Sequence, residues 1–212
     1  MADSKTSPLA RLGFLTAEAL VVFLGVWAAF MLDGCRERQV AEARRQQIHD
    51  TLRHDLIELD SQLVQARAWF DKNFIDAFLT PFEAGEQPFL RPIPLAATDG
   101  DQGWNAILGA GGLDVLDIEL IQAVEAVLGT SRWIADNSRE YNAYVRTVLV
   151  PELGAAPEAE LFYDPESGKL RAKYLWYYHS IVATRDLFDR LQVEIKALRR
   201  LLDVPVTTVS AG

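Results

Sequence analysis

The chain has 212 residues, half of them hydrophobic, and a formal charge of −9; that is enough for one membrane span plus one domain with its own core. Asp3, Lys5, Arg11 and Glu18 cancel, so the acidic excess belongs to the residues from Asp33 onward, and a domain so charged repels phosphate backbones, which argues against nucleic acid as its ligand. Cys35 is the only cysteine, which excludes an intrachain disulfide and a cysteine-rich zinc site.

A short tail, residues 1–11, precedes an apolar run from Leu12 to Leu32, LGFLTAEALVVFLGVWAAFML, whose one ionisable side chain is Glu18. A bilayer core about 30 Å thick needs roughly 20 apolar helical residues to cross. The run is therefore expected to be a single transmembrane helix in contact with membrane lipid. It is longer than the apolar part of a secretory signal, and bulky residues directly follow Ala28-Ala29, so a retained anchor is expected rather than a cleaved leader. Counting Lys and Arg on the two sides places the following domain in the cytoplasm. Yet Asp33, Glu37 and Glu42 are interleaved with Arg36, Arg38, Arg44 and Arg45, and large domains translocate largely regardless of charge. The domain is accordingly expected on the periplasmic side.

Residues 33–47 are polar all round and rich in helix formers, which predicts a charged helical stalk continuing from the span. From Ile48 an apolar stripe begins: Ile48, Leu52, Leu56, Leu59, Leu63, Ala66, Phe70 and Phe74 recur at steps of three and four and need a partner to cover them. Pro81 is expected to stop this helix. The proline- and glycine-rich stretch from Pro81 to Gln102 reads as a long loop, and Trp104 to Leu108 as a short helix ended by Gly109, Gly111 and Gly112. A second long helix is expected from about Asp114, with Ile121, Val124, Leu128, Ala135, Tyr141, Val145 and Val148 inward and Pro151 at its end. A second loop follows, with a turn at Asp164-Pro165-Glu166-Ser167-Gly168.

The last helix carries the clearest pattern. Leu170, Tyr174, Tyr177, Ile181, Thr184, Phe188, Leu191, Ile195, Leu198 and Leu202 alternate four and three apart, the spacing of a packed bundle or coiled-coil seam. It is expected to lie antiparallel to the Ile48–Phe74 helix. No period-two stretch is long enough to predict a strand. The fold class is thus all-α: a transmembrane helix, a long stalk helix and an antiparallel helical bundle over residues 48–203, with a tail at 204–212.

Glu18, Gly25 seven residues later, Asp33 eight after that and Arg36-Glu37-Arg38 together resemble a family of bacterial single-span membrane proteins catalogued as a domain of unknown function. Members open with an acidic residue in an apolar helix, a glycine two turns on and an Asp/Asn-x-Trp exit; Cys35 stands where tryptophan is usual. Gly103-Trp104-Asn105 to Leu113 also looks like the family's second recurring patch. The resemblance implies a bacterial inner (plasma) membrane location and no activity.

An ionisable group inside a span is costly and normally faces protein or water. Glu18, Val22, Gly25, Ala29 and Leu32 share one helix face, with Gly25 and Ala29 as a small-xxx-small pair. This face is expected to be a helix–helix interface with identical chains or with another integral membrane protein. Asp50, His54 and Glu58 share a face of the next helix, and carboxylate–His spacing of this kind suits a metal. Without a second such motif, though, a solvated charged face is the better expectation. No metal or other cofactor is expected. Gly-x-Ser-x-Gly, Walker and His-Glu-x-x-His patterns are absent, so no catalytic residue is assigned and no enzyme is expected. Trp69, Trp104, Trp133, Tyr174, Trp176 and Tyr177 are candidate partner or pocket aromatics. These features point to a membrane-anchored helical interaction protein, an accessory or scaffolding subunit of a membrane complex or homo-oligomer. The alternative is a tethered ligand-binding or sensor module acting through a partner.

Overall fold

The computed structural model describes residues 8–96, 116–153 and 161–204; before Arg36, side chains are described only for Phe23, Trp27 and Met31. Three long helices dominate: α1 (Pro8–Phe70), α2 (Ile118–Tyr144) and α3 (Leu175–Leu201). Among the described residues, the only β-type pairing is an isolated antiparallel bridge between Tyr163 and Leu170. The chain divides into two compact units, Met1–Gln47 and Ile48–Gly212, and α1 contributes residues to both.

In the first unit, every side chain from Arg36 to Gln47 is exposed except the half-buried Arg45. Helix formation here rests on local preference, because Ala, Arg, Glu and Gln lose little freedom in a helix. Phe23, Trp27 and Met31 are also exposed, and steps of four put them on one face. Among the described residues no helix is long and apolar enough to cross a membrane. The expected span at 12–32 falls almost wholly on side chains outside the described residues.

The second unit packs α1 from Ile48 onward with α2 and α3. Arg53 Nε donates to the Leu202 carbonyl at 2.7 Å, Arg67 pairs with Asp189 at 2.5 Å, and Phe78 meets Tyr177 edge-on. The first partner climbs from 53 to 78 while the second falls from 202 to 177, so α1 and α3 run antiparallel in register. Trp133 with Arg190, Asn137 with Thr184 and Tyr144 with Trp176 give α2 and α3 the same relation. It follows that α1 and α2 are parallel.

All ten residues expected on the last helix, Leu170 to Leu202, are buried, but the helix itself starts only at Leu175: Leu170 sits in the bridge to Tyr163 and Tyr174 in a preceding 3-10 turn. On α1, Leu52, Leu56, Leu63, Phe70 and Phe74 are buried, with Ile48 and Leu59 partly covered. Ala66 departs from the expectation and is exposed. Val124, Leu128, Ala135, Tyr141 and Val145 of α2 are buried, while Ile121 and Val148 are only partly covered. Each fully buried Leu or Phe contributes about 1.5–3 kcal/mol of transfer free energy.

The prolines do not act as the sequence suggests. Helical structure continues past both of them, to Glu83 and Glu152. In each case a π-helical segment comes first, Asp71–Leu79 before Pro81 and Val145–Leu149 before Pro151. A proline inside an α-helix lacks an N–H and clashes with the carbonyl four residues back. Here the turn is widened, with the Thr80 N–H on the Ile75 carbonyl and the Val150 N–H on the Val145 carbonyl, so the ring is accommodated one turn before the helix ends. Gly85, at φ 86°, then turns the chain out in a conformation that favours glycine. The second helix starts at Ile118 rather than Asp114; the expected short helix at Trp104–Leu108 lies outside the described residues.

Candidate functional site

Two features of the second unit have enough structure to act as sites: an aromatic end held by a proline-rich strap, and an apolar groove. The strap is the extended stretch 86–96, which contains Pro88, Pro92 and Pro94. Prolines bring carbonyls without N–H groups, and side chains of the bundle supply the missing donors. Tyr163 Oη donates to the Pro88 carbonyl at 2.8 Å. Tyr141 and Tyr177 both direct their hydroxyls at the Arg91 carbonyl, at 3.4 and 3.2 Å. Asn142 holds Leu95 from both sides, accepting its N–H at 2.9 Å and donating to its carbonyl at 2.7 Å. Leu90 and Leu95 are buried beneath the strap.

Under it lies a continuous aromatic core. Phe74 and Phe78, both from the π-helical segment, meet Tyr141 and Tyr177 edge-on, and Phe162 meets Tyr174 in the same way. Burial pushes the hydroxyls of Tyr141 and Tyr177 far above the ordinary tyrosine value. Burial raises Tyr144 and Tyr163 to about 12. These groups are neutral donors at physiological pH. Tyr141, Tyr163 and Tyr177 fasten the strap, and Tyr144 donates to the Lys173 carbonyl at 2.9 Å.

Of the aromatics singled out by sequence, Tyr174 and Tyr177 belong to this core and are fully buried. Their rings pack against Phe162 and Phe78. Trp69, Trp133 and Trp176 are exposed. Trp133 carries the Arg190 guanidinium over its face at 5.3 Å, Trp176 stacks on Tyr144 at 4.7 Å, and Trp69 meets Phe74 edge-on. Trp104 lies outside the described residues, as do the side chains of Glu18, Val22, Gly25, Ala29 and Leu32. His54 and Glu58 are exposed on α1 with Asp50, a solvated face. Among the described residues no group of three His, Cys, Asp or Glu is placed to hold a metal.

The groove, about 110 Å³, opens between α1 and α2 with α3 as its floor. Leu59, Leu63 and Ala66 form one wall, Ser131 and Ile134 the other, and Phe188 and Leu191 lie at the bottom. Its lining is mostly apolar, and its volume is below the roughly 300 Å³ at which pockets hold drug-sized ligands. It suits a few apolar side chains.

Ion pairs frame the opposite seam between α1 and α3. Arg199, itself buried, pairs with Asp60 at 2.5 Å. Arg67 reaches both Asp71 at 2.8 Å and Asp189; its burial works against its charge, but the two carboxylates more than offset this and raise its pKa. Sequence reasoning missed the strap's donors. The available signal was a proline-rich stretch whose carbonyls needed partners, together with tyrosines at inward helical positions.

No protein family, curated protein or solved structure matches this chain. The resemblance to a single-span family thus rests on the residues that carry it, Glu18, Gly25, Asp33 and Arg36-Glu37-Arg38.

Proposed function

We propose that this chain is a membrane-anchored helical interaction protein, an accessory or scaffolding subunit that works by binding another integral membrane protein or further copies of itself. The observation that carries the reading is the first unit's use of a single helix. The apolar run Leu12–Leu32 is followed on that same helix by residues 36–47, whose side chains are exposed except for the half-buried Arg45. A large apolar surface needs lipid or protein around it, and Phe23, Trp27 and Met31 present three large apolar groups to the outside. On an ideal helix Glu18, Val22, Gly25, Ala29 and Leu32 occupy the opposite side. Lipid against the bulky face leaves the small-residue face, with its one carboxyl, for a partner helix. The cytoplasmic membrane of a bacterium, with the second unit on its periplasmic side, is the location this reading takes.

The test is the mass and composition of the particle extracted from native membranes in mild detergent. A stoichiometric second membrane protein identifies the complex that this chain serves, and a particle of identical chains makes it a homo-oligomer. Recovery of the full-length protein in the aqueous fraction without detergent overturns the reading. Replacing Glu18 with Ala is expected to reduce the size of the particle, and an unchanged size removes the proposed interface.

A further inference from the structure

We propose that the outward face of α1 from Ser61 to Trp69 is a homotypic contact, on which a second copy of this chain packs its own α1 side by side and in the same direction. The proposal rests on the membrane reading, since copies tethered in one membrane by the same end of the chain meet in the same sense.

The face is marked by what it lacks. Ser61, Gln62, Val64, Gln65, Ala66, Ala68 and Trp69 are exposed, and none is charged. Arg67, the one charge in the stretch, is half-buried and held by Asp71 and Asp189. Elsewhere the exposed positions of α1 do carry charge, as at Arg36, Glu37, Arg38, Glu42 and Arg44. Depletion of charge around an aromatic group is the composition of an interface centre. It also says which partner fits. In a same-sense contact between identical helices each residue of the seam faces its own equivalent, so any charge there meets a like charge. A foreign helix would instead be selected by opposite charges, and this face offers none.

Helical spacing supplies the detail. Ser61, Gln65 and Ala68 stand four and three apart on the side of α1 opposite the buried Leu63 and Phe70. The three large apolar residues that α1 exposes in the second unit, Ile57, Val64 and Trp69, flank this row. In a parallel seam a flanking residue reaches the one five further along on the other helix, so Val64 of each copy meets Trp69 of the other. Ser61 and Ala68 are small enough for the helices to approach, and the Gln65 amide, donor and acceptor at once, pairs with its equivalent. Glu58 and Lys72, both exposed, bound the row and would face like charges, which confines the contact to about 13 Å of helix. So short a face falls below the roughly 800 Å² that each partner of a stable complex buries. Confinement in one membrane supplies the effective concentration it needs.

The experiment is disulfide cross-linking of the full chain in membranes, with Cys35→Ser as background. Ser61→Cys, Gln65→Cys and Ala68→Cys are compared one at a time with Glu125→Cys, an exposed position on α2. All three are expected to form linked dimers at least about tenfold faster than the control. Membrane-bound protein that links no faster than the control overturns the contact and leaves the anchor standing. Protein recovered in the aqueous fraction overturns the anchor and the contact with it. Fast linkage at one position alone means that the helices meet in opposed directions, and a link to a different protein means a foreign partner; either result overturns the proposal. Gln65→Glu, which sets two carboxylates against each other at the centre of the seam, is expected to abolish the Ser61→Cys link while the urea midpoint stays unchanged. Linkage that survives this substitution overturns the proposal as well.

Discussion

Helix α1 passes through two regimes without interruption. From Arg36 to Gln47 its side chains are exposed except for the half-buried Arg45, and from Ile48 to Phe70 one stripe is buried against α2 and α3. The backbone is the same, but the sources of stability differ. A free helix of a dozen residues is marginal in water, so the first stretch depends on local preference and on what holds its ends, whereas burial stabilises the second. Substitutions should separate the two regimes cleanly.

The largest effect is expected at Phe74, which stacks on Phe70 and meets Tyr141 edge-on. Phe74→Ala should cost about 3–5 kcal/mol, read as a lowered urea midpoint of the full chain. A loss below about 1 kcal/mol would mean that the aromatic end is loosely packed. Next comes the seam between α1 and α3. Asp60→Ala removes the carboxylate facing the buried Arg199, and stranding part of a buried charge should cost about 1–3 kcal/mol. Asp50→Ala, on the exposed face, should do almost nothing in the same assay.

The buried tyrosines make a prediction in pH. Tyr144 and Tyr163 titrate at about 12 in the folded chain, against about 10 when unfolded. A group whose folded value is raised contributes stability that is fully present below the unfolded value and lost as pH rises through the folded one. Stability should thus be flat to about pH 10 and fall between 10 and 12, with Tyr141 and Tyr177 adding to the loss in the same direction. Denaturant midpoints across this range, alongside tyrosinate absorbance, check it. An unchanged midpoint at pH 12 would mean that these hydroxyls are open to solvent. Tyr177→Phe, which frees one donor from the Arg91 carbonyl, should cost only about 0.5–1.5 kcal/mol.

What was legible in the sequence follows the same division. The stripe on α3 could be read residue by residue, because burial on one helix face leaves a period in the apolar positions. That α3 runs antiparallel to α1 followed from that stripe and the long loops. The prolines misled, since the rule that they stop helices assumes an α-register, and π turns are set by tertiary packing that leaves no simple mark. Tyr174 and Tyr177 stood both in the inward stripe and among the candidate aromatics, and they are buried in the core, as aromatic side chains at helical spacing serve both ends. The strap was invisible as structure because its partners, Tyr141, Asn142, Tyr163 and Tyr177, come from distant parts of the chain. Ala66 fits the apolar period yet stays exposed, because α1 and α2 are spread apart at that level and leave the groove.

The smallest predicted effect discriminates most between readings of the first unit. Val40 is 62% exposed, so Val40→Ala should change the stability of the second unit by less than about 0.5 kcal/mol. Alanine also suits a helix better than valine does, so the sign should be neutral or slightly favourable in the isolated chain. In a native membrane particle the outcome depends on whether a partner lies along residues 36–47. A partner packed on Val40 loses apolar contact when it is truncated, and the particle should dissociate at lower detergent concentration while the bundle's urea midpoint stays fixed. If both measurements are unmoved, the stretch acts as a spacer and the interaction surface is confined to the apolar run before it. A fall in the bundle's midpoint alone would mean that the two regimes of α1 are coupled, contrary to the exposure of every side chain but one between Arg36 and Gln47.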